Sequence, residues 1–299
     1  DALSITSSGG LAAVRDLAVL HIAKAHGVRA YHHLRVGRLP EVVEHAGWEW
    51  TLLRRVMRTA SAVVVLDEAS RRAAVSADPA LAVHKIPNCV STAHLASSSA
   101  SPHAREVLFV GWIVETKGVR ELVEAWRSLR VPGTRMTMIG PGDPGLIKKL
   151  KDLADEGQGT PSLEIVGELS HVATMERISR ADIVVLPSYS EGFPNVIAEA
   201  MAYGKAIVAT SVGAIPEMLA VESDAPAGIV IPPHDTSSLR VAIERLLRDR
   251  SLCDELGARA RERVEAQYSV PRVFERLVSL WQGEAQRLGS AQDVVGYVT

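Results

Sequence analysis

Cysteine is scarce in this chain: of 299 residues only Cys89 and Cys253 carry thiols. They form neither a CxxC motif nor a Cys/His ligand spacing, which excludes a disulfide framework and a zinc site and points to a reducing, cytoplasmic setting. Long apolar runs are missing too. No stretch approaches the roughly 18 apolar residues of a spanning helix, and the opening residues do not read as a signal peptide. An excess of one charge is the third absence. Lys and Arg number 33 against 35 Asp and Glu, a formal net charge of −2. The basic surplus of a nucleic-acid-binding chain is not there, and any anion site has to be local. No cluster of His, Cys, Asp and Glu has metal-ligand spacing, so no metal is expected.

What is there is a globular composition, 47% hydrophobic and 23% charged, at a length that suits two domains. Short β-branched runs alternate with longer helical patterns from end to end, which predicts an α/β fold of βα units wound into parallel sheets. Strands are expected near 2–5, 28–32, 62–66 and 83–86, with helices near 11–25, 41–58 and 68–77. Asp67 reads as the N-cap of the last helix and Gly27 as the residue closing the first. The Ser-rich stretch from Ser91 to Pro102 breaks the pattern and reads as a linker. Beyond it, strands near 107–110, 135–139, 163–166, 183–187, 206–209 and 228–231, each followed by a helical stretch, make a complete doubly wound domain. Fewer strands precede the linker than follow it, and the chain opens at Asp1 without Met. Two readings of the first domain follow: it is small, or βα units precede Asp1.

The segment Pro187 to Ala202 is the most informative. A buried-type strand, Ile183-Val184-Val185-Leu186, runs into a loop holding Glu191. Pro194 is expected as the first residue of a helix that carries Glu199. Loops at the carboxyl ends of parallel strands are where open α/β sheets bind ligands, and N–H groups near Asn195 and Val196 would offer a helix N-terminus to phosphate. The plainer reading makes Glu191 a complement to the helix dipole and Glu199 a solvated residue. Against it, Glu199 sits between Ala198 and Ala200-Met201-Ala202, where an unpaired charge is costly.

Glu191 and Glu199 form a Glu-x7-Glu pair, and Glu191-Gly192-Phe193-Pro194-Asn195-Val196 followed by Val212-Gly213-Ala214-Ile215-Pro216-Glu217 resembles the retaining glycosyltransferases of family 4. Ile86-Pro87-Asn88-Cys89-Val90, Val107 to Gly111 with Lys117-Gly118, Ile139-Gly140-Pro141-Gly142 and Val166-Gly167 match further family segments in order. The resemblance implies the GT-B fold: two doubly wound Rossmann-like domains facing a cleft, the N-terminal one incomplete in this chain. It divides the chain into an acceptor-side domain at 1–95 and a nucleotide-sugar-binding domain at 96–270. A helix returning to the first domain, and a tail, are expected at 271–299.

The same resemblance implies roles. Glu191 approaches the donor sugar hydroxyls, Glu199 the ribose hydroxyls, and Lys117 neutralises the diphosphate and helps it leave; carboxylates as acceptors and lysine as a compact cation suit these tasks. Gly111, Gly140, Gly167, Ser188, Gly192, Phe193, Asn195 and Val196 join the donor site. His33, in Tyr31-His32-His33-Leu34-Arg35, resembles a family histidine near the sugar and leaving phosphate, with Arg35 and Arg38 as further contacts. One departure stands out: family members commonly carry Arg after the first glycine of the Lys117 loop, and here the residue is Trp112, a loss of charge or simply packing. Trp48, Trp50, Arg54, Arg55 and Arg58 share one amphipathic helix that packs its Trp residues or touches a membrane surface.

The implied activity is transfer of a hexose-type sugar, with retention, from a UDP- or GDP-linked donor to a glycan or lipid-linked acceptor. No cofactor and no nucleic-acid partner is implied. Cell-envelope or exopolysaccharide assembly, in the cytoplasm or at the inner face of the membrane, is the expected setting. A sugar-nucleotide epimerase of GT-B fold and a non-catalytic nucleotide-sugar-binding chain are the alternatives.

Overall fold

The computed structural model describes residues 2–92, 105–155 and 162–287; most of the expected linker at 91–102 lies outside them. The chain forms two compact units, one taking the sequence up to Cys89 and again from Val270, the other Val90–Ser269.

Unit 1 is built on a parallel sheet of β1 (Ala2–Ser7), β2 (Arg29–Leu34), β3 (Ala62–Val65) and β4 (Val83–Lys85), paired in that order. Its helices are α1 (Ala12–Ala25), α2 (Leu39–His45), α3 (Trp48–Thr59) and α4 (Glu68–Ala77). Asp67 caps α4 by accepting from the Ser70 N–H at 2.7 Å, and Gly27 closes α1 with φ at 69°. The single helix expected over 41–58 is two helices. Ala46 ends α2 in the left-handed region at φ 49°, and Gly47 restarts the chain as the extended N-cap of α3. A glycine inside a helical pattern was the signal for that break.

Side chains alternate across a strand, so β3 feeds two cores. Val63 and Val65 pack with Leu20, Leu53, Val56 and Met57 from α1 and α3. Ala62 and Val64 face the other way, with Tyr31 and Ile86.

Unit 2 holds β5 (Arg105–Val110), β6 (Thr134–Ile139), β7 (Ser162–Gly167), β8 (Ile183–Leu186), β9 (Ala206–Thr210) and β10 (Ile229–Ile231). Every pairing is parallel, in the order β10-β9-β8-β5-β6-β7. Around it run α5 (Val119–Arg127), α6 (Pro144–Asp155), α7 (His171–Arg180), α8 (Asn195–Ala202), α9 (Ile215–Met218), α10 (Thr236–Arg248) and α11 (Arg250–Gln267). Strands β8 and β9 are buried along their whole length, as a sheet covered on both faces requires. The chain winds from β5 to β7 in one direction and resumes at β8 on the other side of β5. Such a reversal opens a crevice beyond the carboxyl ends of the two strands.

The last helix, α12 (Val270–Arg287), belongs to unit 1. Its Val273 and Leu280 are buried against Tyr31, Ala62, Val64 and Ile86. Without it the second face of the first sheet would stand in water, at about 1.5–3 kcal/mol per large apolar side chain.

Candidate functional site

The reversal between β5 and β8 brings two loops into backbone contact. Gly118 has φ at 65°, and a Cβ there would lie 2.1 Å from the Pro187 carbonyl oxygen. Only glycine permits both the conformation and the approach. The Tyr189 N–H donates to Thr116 O at 2.9 Å, tying the loops together again. Lys117 ends a short 3-10 turn, Glu115–Lys117, and its Nζ donates to Glu191 Oε1 at 2.5 Å. The two side chains are 26% and 11% exposed. This is an ion pair at the mouth of a site, reachable by a ligand but screened less than a surface pair.

The Glu191 loop is held from its other side by the loop after β9. Gly213, at φ 53°, lies so close that a Cβ would sit 2.1 Å from the Glu191 carbonyl oxygen, and the Ala214 N–H donates to Gly192 O at 2.9 Å. Thr210 Oγ1 donates to Ser188 O at 2.5 Å. Ser188 is fully buried, and its own hydroxyl has no hydrogen-bond partner in the protein. Phe193 is buried edge-on against Tyr268, ring centroids 5.3 Å apart.

Pro194 is the N-cap of α8 rather than its first helical residue, so the helix opens at Asn195. Asn195 is exposed and Val196 half-buried. The first-turn N–H groups of a helix have no acceptor within it, which suits an anion lying just beyond the helix end. One turn on, Glu199 is half-buried among Ala198, Ala200 and Met201. Burial pushes its carboxyl above the usual range, opposed by His171.

Gly111, Gly140 and Gly167 end the adjacent strands β5, β6 and β7. They form a shelf without side chains: the Gly111 N–H donates to Ile139 O at 2.9 Å and the Gly140 N–H to Gly167 O at 2.8 Å. Trp112, next to the shelf, is 66% exposed and is not a packing residue.

His33 belongs to unit 1. It is half-buried, and its Nε2 is buried without a hydrogen-bond partner. Burial, then the charge of Arg35, holds its pKa below the ordinary histidine value. Arg35 is exposed, and Arg38 makes a two-pronged bond to Glu49, both at 2.9 Å. On α3, Trp50 is buried and Trp48 exposed, while Arg54 and Arg58 are drawn onto the buried Asp78 at 2.8 and 2.6 Å.

One polar cluster went unread in the sequence. Asp16 and His32 are both fully buried; His32 Nε2 lies 3.2 Å from Asp16 Oδ2 and 3.2 Å from Ser7 Oγ. Both partners meet the same ring nitrogen, so this is not a relay from acid through imidazole to hydroxyl. The signal lay in α1: Ala13, Asp16, Leu20 and Ala23 share helical spacing, and an acid on that apolar face needs a buried partner.

Among the described residues, no group of three or more His, Cys, Asp and Glu side chains is positioned to hold a metal ion, and no helix is long and apolar enough to cross a membrane. Both cysteines are free, Cys89 exposed and Cys253 buried.

The family of glycosyl transferases group 1 matches residues 92–263, the segment that builds this site. The chain belongs to that family. Over 251 residues it is 30% identical to the alpha-D-kanosaminyltransferase of Streptomyces kanamyceticus, covering 77% of this chain and 62% of that protein. The match thus spans less than two thirds of that relative's length. In fold, this glycosyl transferase is similar to sucrose-phosphate synthase from Thermosynechococcus elongatus. The TM-score is 0.78 at 21% identity, over 96% of this chain and 74% of the other. It is equally similar to Anabaena Alr3699/HepE in complex with UDP, with a TM-score of 0.78 at 18% identity over 94% and 79% of the two chains. The fold is α/β, of the GT-B class, with two parallel sheets.

Proposed function

We propose that this chain transfers a hexose-type sugar, with retention at the anomeric carbon, from a UDP- or GDP-linked donor to a glycan or lipid-linked acceptor, as family 4 glycosyltransferases do. Exopolysaccharide or other cell-envelope glycan assembly is the setting that suits such an acceptor. The observation that carries the reading is the Lys117–Glu191 contact at the reversal of strand order. Lys117 has three donors and Glu191 keeps lone pairs to spare, so each can serve a ligand while holding the other.

The donor diphosphate lies before the N-terminus of α8, where Lys117 offsets the charge that builds on the leaving group. The glycine shelf lets the nucleotide approach the backbone. Glu191 accepts from sugar hydroxyls and Glu199 from the ribose. The buried Ser188 hydroxyl lies in the same loop as Glu191. The leaving phosphate oxygen takes the acceptor's proton as the new bond forms on the same face, so no carboxylate nucleophile is needed. The similarity to a kanosaminyltransferase, and to a fold that holds UDP in Alr3699/HepE, supports nucleotide-sugar chemistry.

A thermal-shift screen of UDP-, GDP- and ADP-sugars tests this. A donor at 100 times its Kd stabilises the native state by about 2.7 kcal/mol, so the correct base stands out. No shift with any of the three overturns the reading.

A further inference from the structure

Tyr189 stands where three loops of unit 2 converge. It lies just before Glu191 in the loop that follows β8, and its N–H donates to the carbonyl of Thr116, the neighbour of Lys117, at 2.9 Å. Its hydroxyl donates to Glu121 Oε1 at 2.5 Å, on the first turn of α5. That length belongs to a hydrogen bond with an ionised acceptor, roughly twice as strong as one between neutral groups. Glu121 Oε2 is buried without a hydrogen-bond partner among the described residues, so losing the tyrosine hydroxyl would leave the carboxylate unanswered. Burial, then the bond to Glu121, pushes the Tyr189 hydroxyl up, and it stays protonated as a donor.

The third loop, between β10 and α10, brings His234. Its ring lies on the tyrosine ring, with centroids 3.7 Å apart and planes 32° from parallel. His234 is exposed and takes φ at 61°, in the left-handed region that glycine fills without steric cost. Asp235 fixes the turn just behind it by capping α10, accepting from the Ser238 N–H at 2.8 Å. The stack on Tyr189 is what a histidine adds at a position where glycine would be easier. Glu191 is thus held on both sides along the chain. After it, Gly192 O accepts from the Ala214 N–H; before it, Tyr189 is fixed by its backbone, its hydroxyl and its ring.

We infer that Tyr189, braced by Glu121 and His234, is a positioning residue that holds the Glu191 carboxylate at Lys117 for the donor sugar. The inference rests on the donor-site reading above and adds side chains that act through Glu191, not on the ligand.

Isothermal titration with UDP, UDP-glucose, GDP and GDP-mannose tests it through one quantity, the Kd of a sugar nucleotide divided by that of its parent diphosphate. Glu191→Gln is expected to raise this ratio at least about tenfold. Tyr189→Phe keeps the ring and loses the bond to Glu121, while His234→Gly suits the φ of 61° and loses the stack. Each is expected to raise the ratio about tenfold, with diphosphate affinity within about twofold of wild type. In the Glu191→Gln background the same two changes are expected to add nothing, because a residue acting through Glu191 has lost its target. A merely structural role would weaken both ligands alike, and equally in both backgrounds. His234→Gly is also expected to melt within about 3 °C of wild type, which separates a loss of aim from a loss of fold. An unchanged ratio in either variant, beside a raised one in Glu191→Gln, overturns the brace and leaves the donor site standing. A rise in the Glu191→Gln background equal to that in wild type overturns it as well. An unchanged ratio in Glu191→Gln, or no binding of any of the four ligands to the wild-type chain, overturns the sugar role given to Glu191 and this inference with it.

Discussion

Lys117 and Glu191, 74 positions apart in sequence, meet through a 2.5 Å hydrogen bond between Nζ and Oε1. The contact exists because β5 and β8 are neighbours at the point where strand order reverses. Two loops that end unrelated βα units thus supply one cation and one anion to the same few ångströms.

Exchanging either residue separates their tasks. Lys117→Met is expected to weaken nucleoside diphosphate binding by about 1.5–3 kcal/mol, the worth of a charged hydrogen bond, and to lower turnover further because charge on the leaving group goes unanswered. Glu191→Gln is expected to spare diphosphate affinity and to cut turnover. Titration beside steady-state kinetics checks both. Wild-type UDP and GDP affinity in Lys117→Met would remove the phosphate role.

Glu199 gives a pH signature. Its native carboxyl holds its proton to higher pH than in the unfolded chain, because burial raises its pKa above the ordinary 4.5. Stability from this group is therefore complete below that value and declines as pH rises through the native pKa. Glu199→Gln is expected to raise the melting temperature at pH 7.5 by about 1–3 °C and to leave it unchanged at pH 4. The proposed ribose role of Glu199 predicts that the same variant loses at least about tenfold in nucleotide affinity, an ionised acceptor for hydroxyls having been replaced. Melting curves at two pH values and one titration are enough; a loss of stability at pH 7.5 would contradict the burial argument.

The Asp16–His32 pair works in the opposite direction. Burial holds His32 below its ordinary pKa of 6.5. At Asp16 burial pushes upward, but hydrogen bonds from Ser7, Arg15 and His32 outweigh it and leave the pKa lowered. In both cases the unfolded chain binds protons first on acidification. Stability is thus lost as pH falls through about 6.5 and again below about 4. Asp16→Ala is expected to cost about 3 kcal/mol in urea unfolding at pH 7.5, the scale for breaking a buried pair. A change under 1 kcal/mol, within the range of ordinary surface substitutions, would refute the role given to this pair.

Gly213→Ala probes the support behind Glu191. The added methyl would lie 2.1 Å from the Glu191 carbonyl oxygen, at a φ of 53°. The loop has to move, so donor binding is expected to fall by at least about tenfold. Ser211→Ala, two residues earlier and exposed, is the control expected to stay within about 0.5 kcal/mol of wild type. Equal donor affinity in the two variants would dissociate Gly213 from the site.

The strands were legible because each is a short apolar run between turn signals, and local pattern is enough for that. Ile183 to Leu186, for example, needs no partner to be recognised. The Glu191 and Glu199 loop was legible as a resemblance and as carboxylates at a strand end. What escaped was set by contacts distant in sequence. Nothing near Asp16 announces His32, and nothing near Gly118 announces Pro187. Ala46 escaped for another reason: a non-glycine residue in the left-handed region carries no sign of its own, and without the break that Gly47 beside it signals, α2 and α3 read as one helix. Trp112 reads from the sequence either as a loss of charge or as packing, because its exposure depends on the register between the β5 and β6 ends.

Unit 2 begins and ends at one place. The Val90 N–H donates to Tyr268 O at 2.9 Å and Val90 pairs in parallel with Ser269, while the chain on either side belongs to unit 1. In genetic terms, residues 90–269 are an insert that a host domain carries at a single seam. Closely spaced ends are what make domain insertion tolerable. Two cuts at this seam would exchange the segment for the same segment of a related enzyme and leave α12 still covering its sheet, a route to new donor preferences by recombination instead of point substitution.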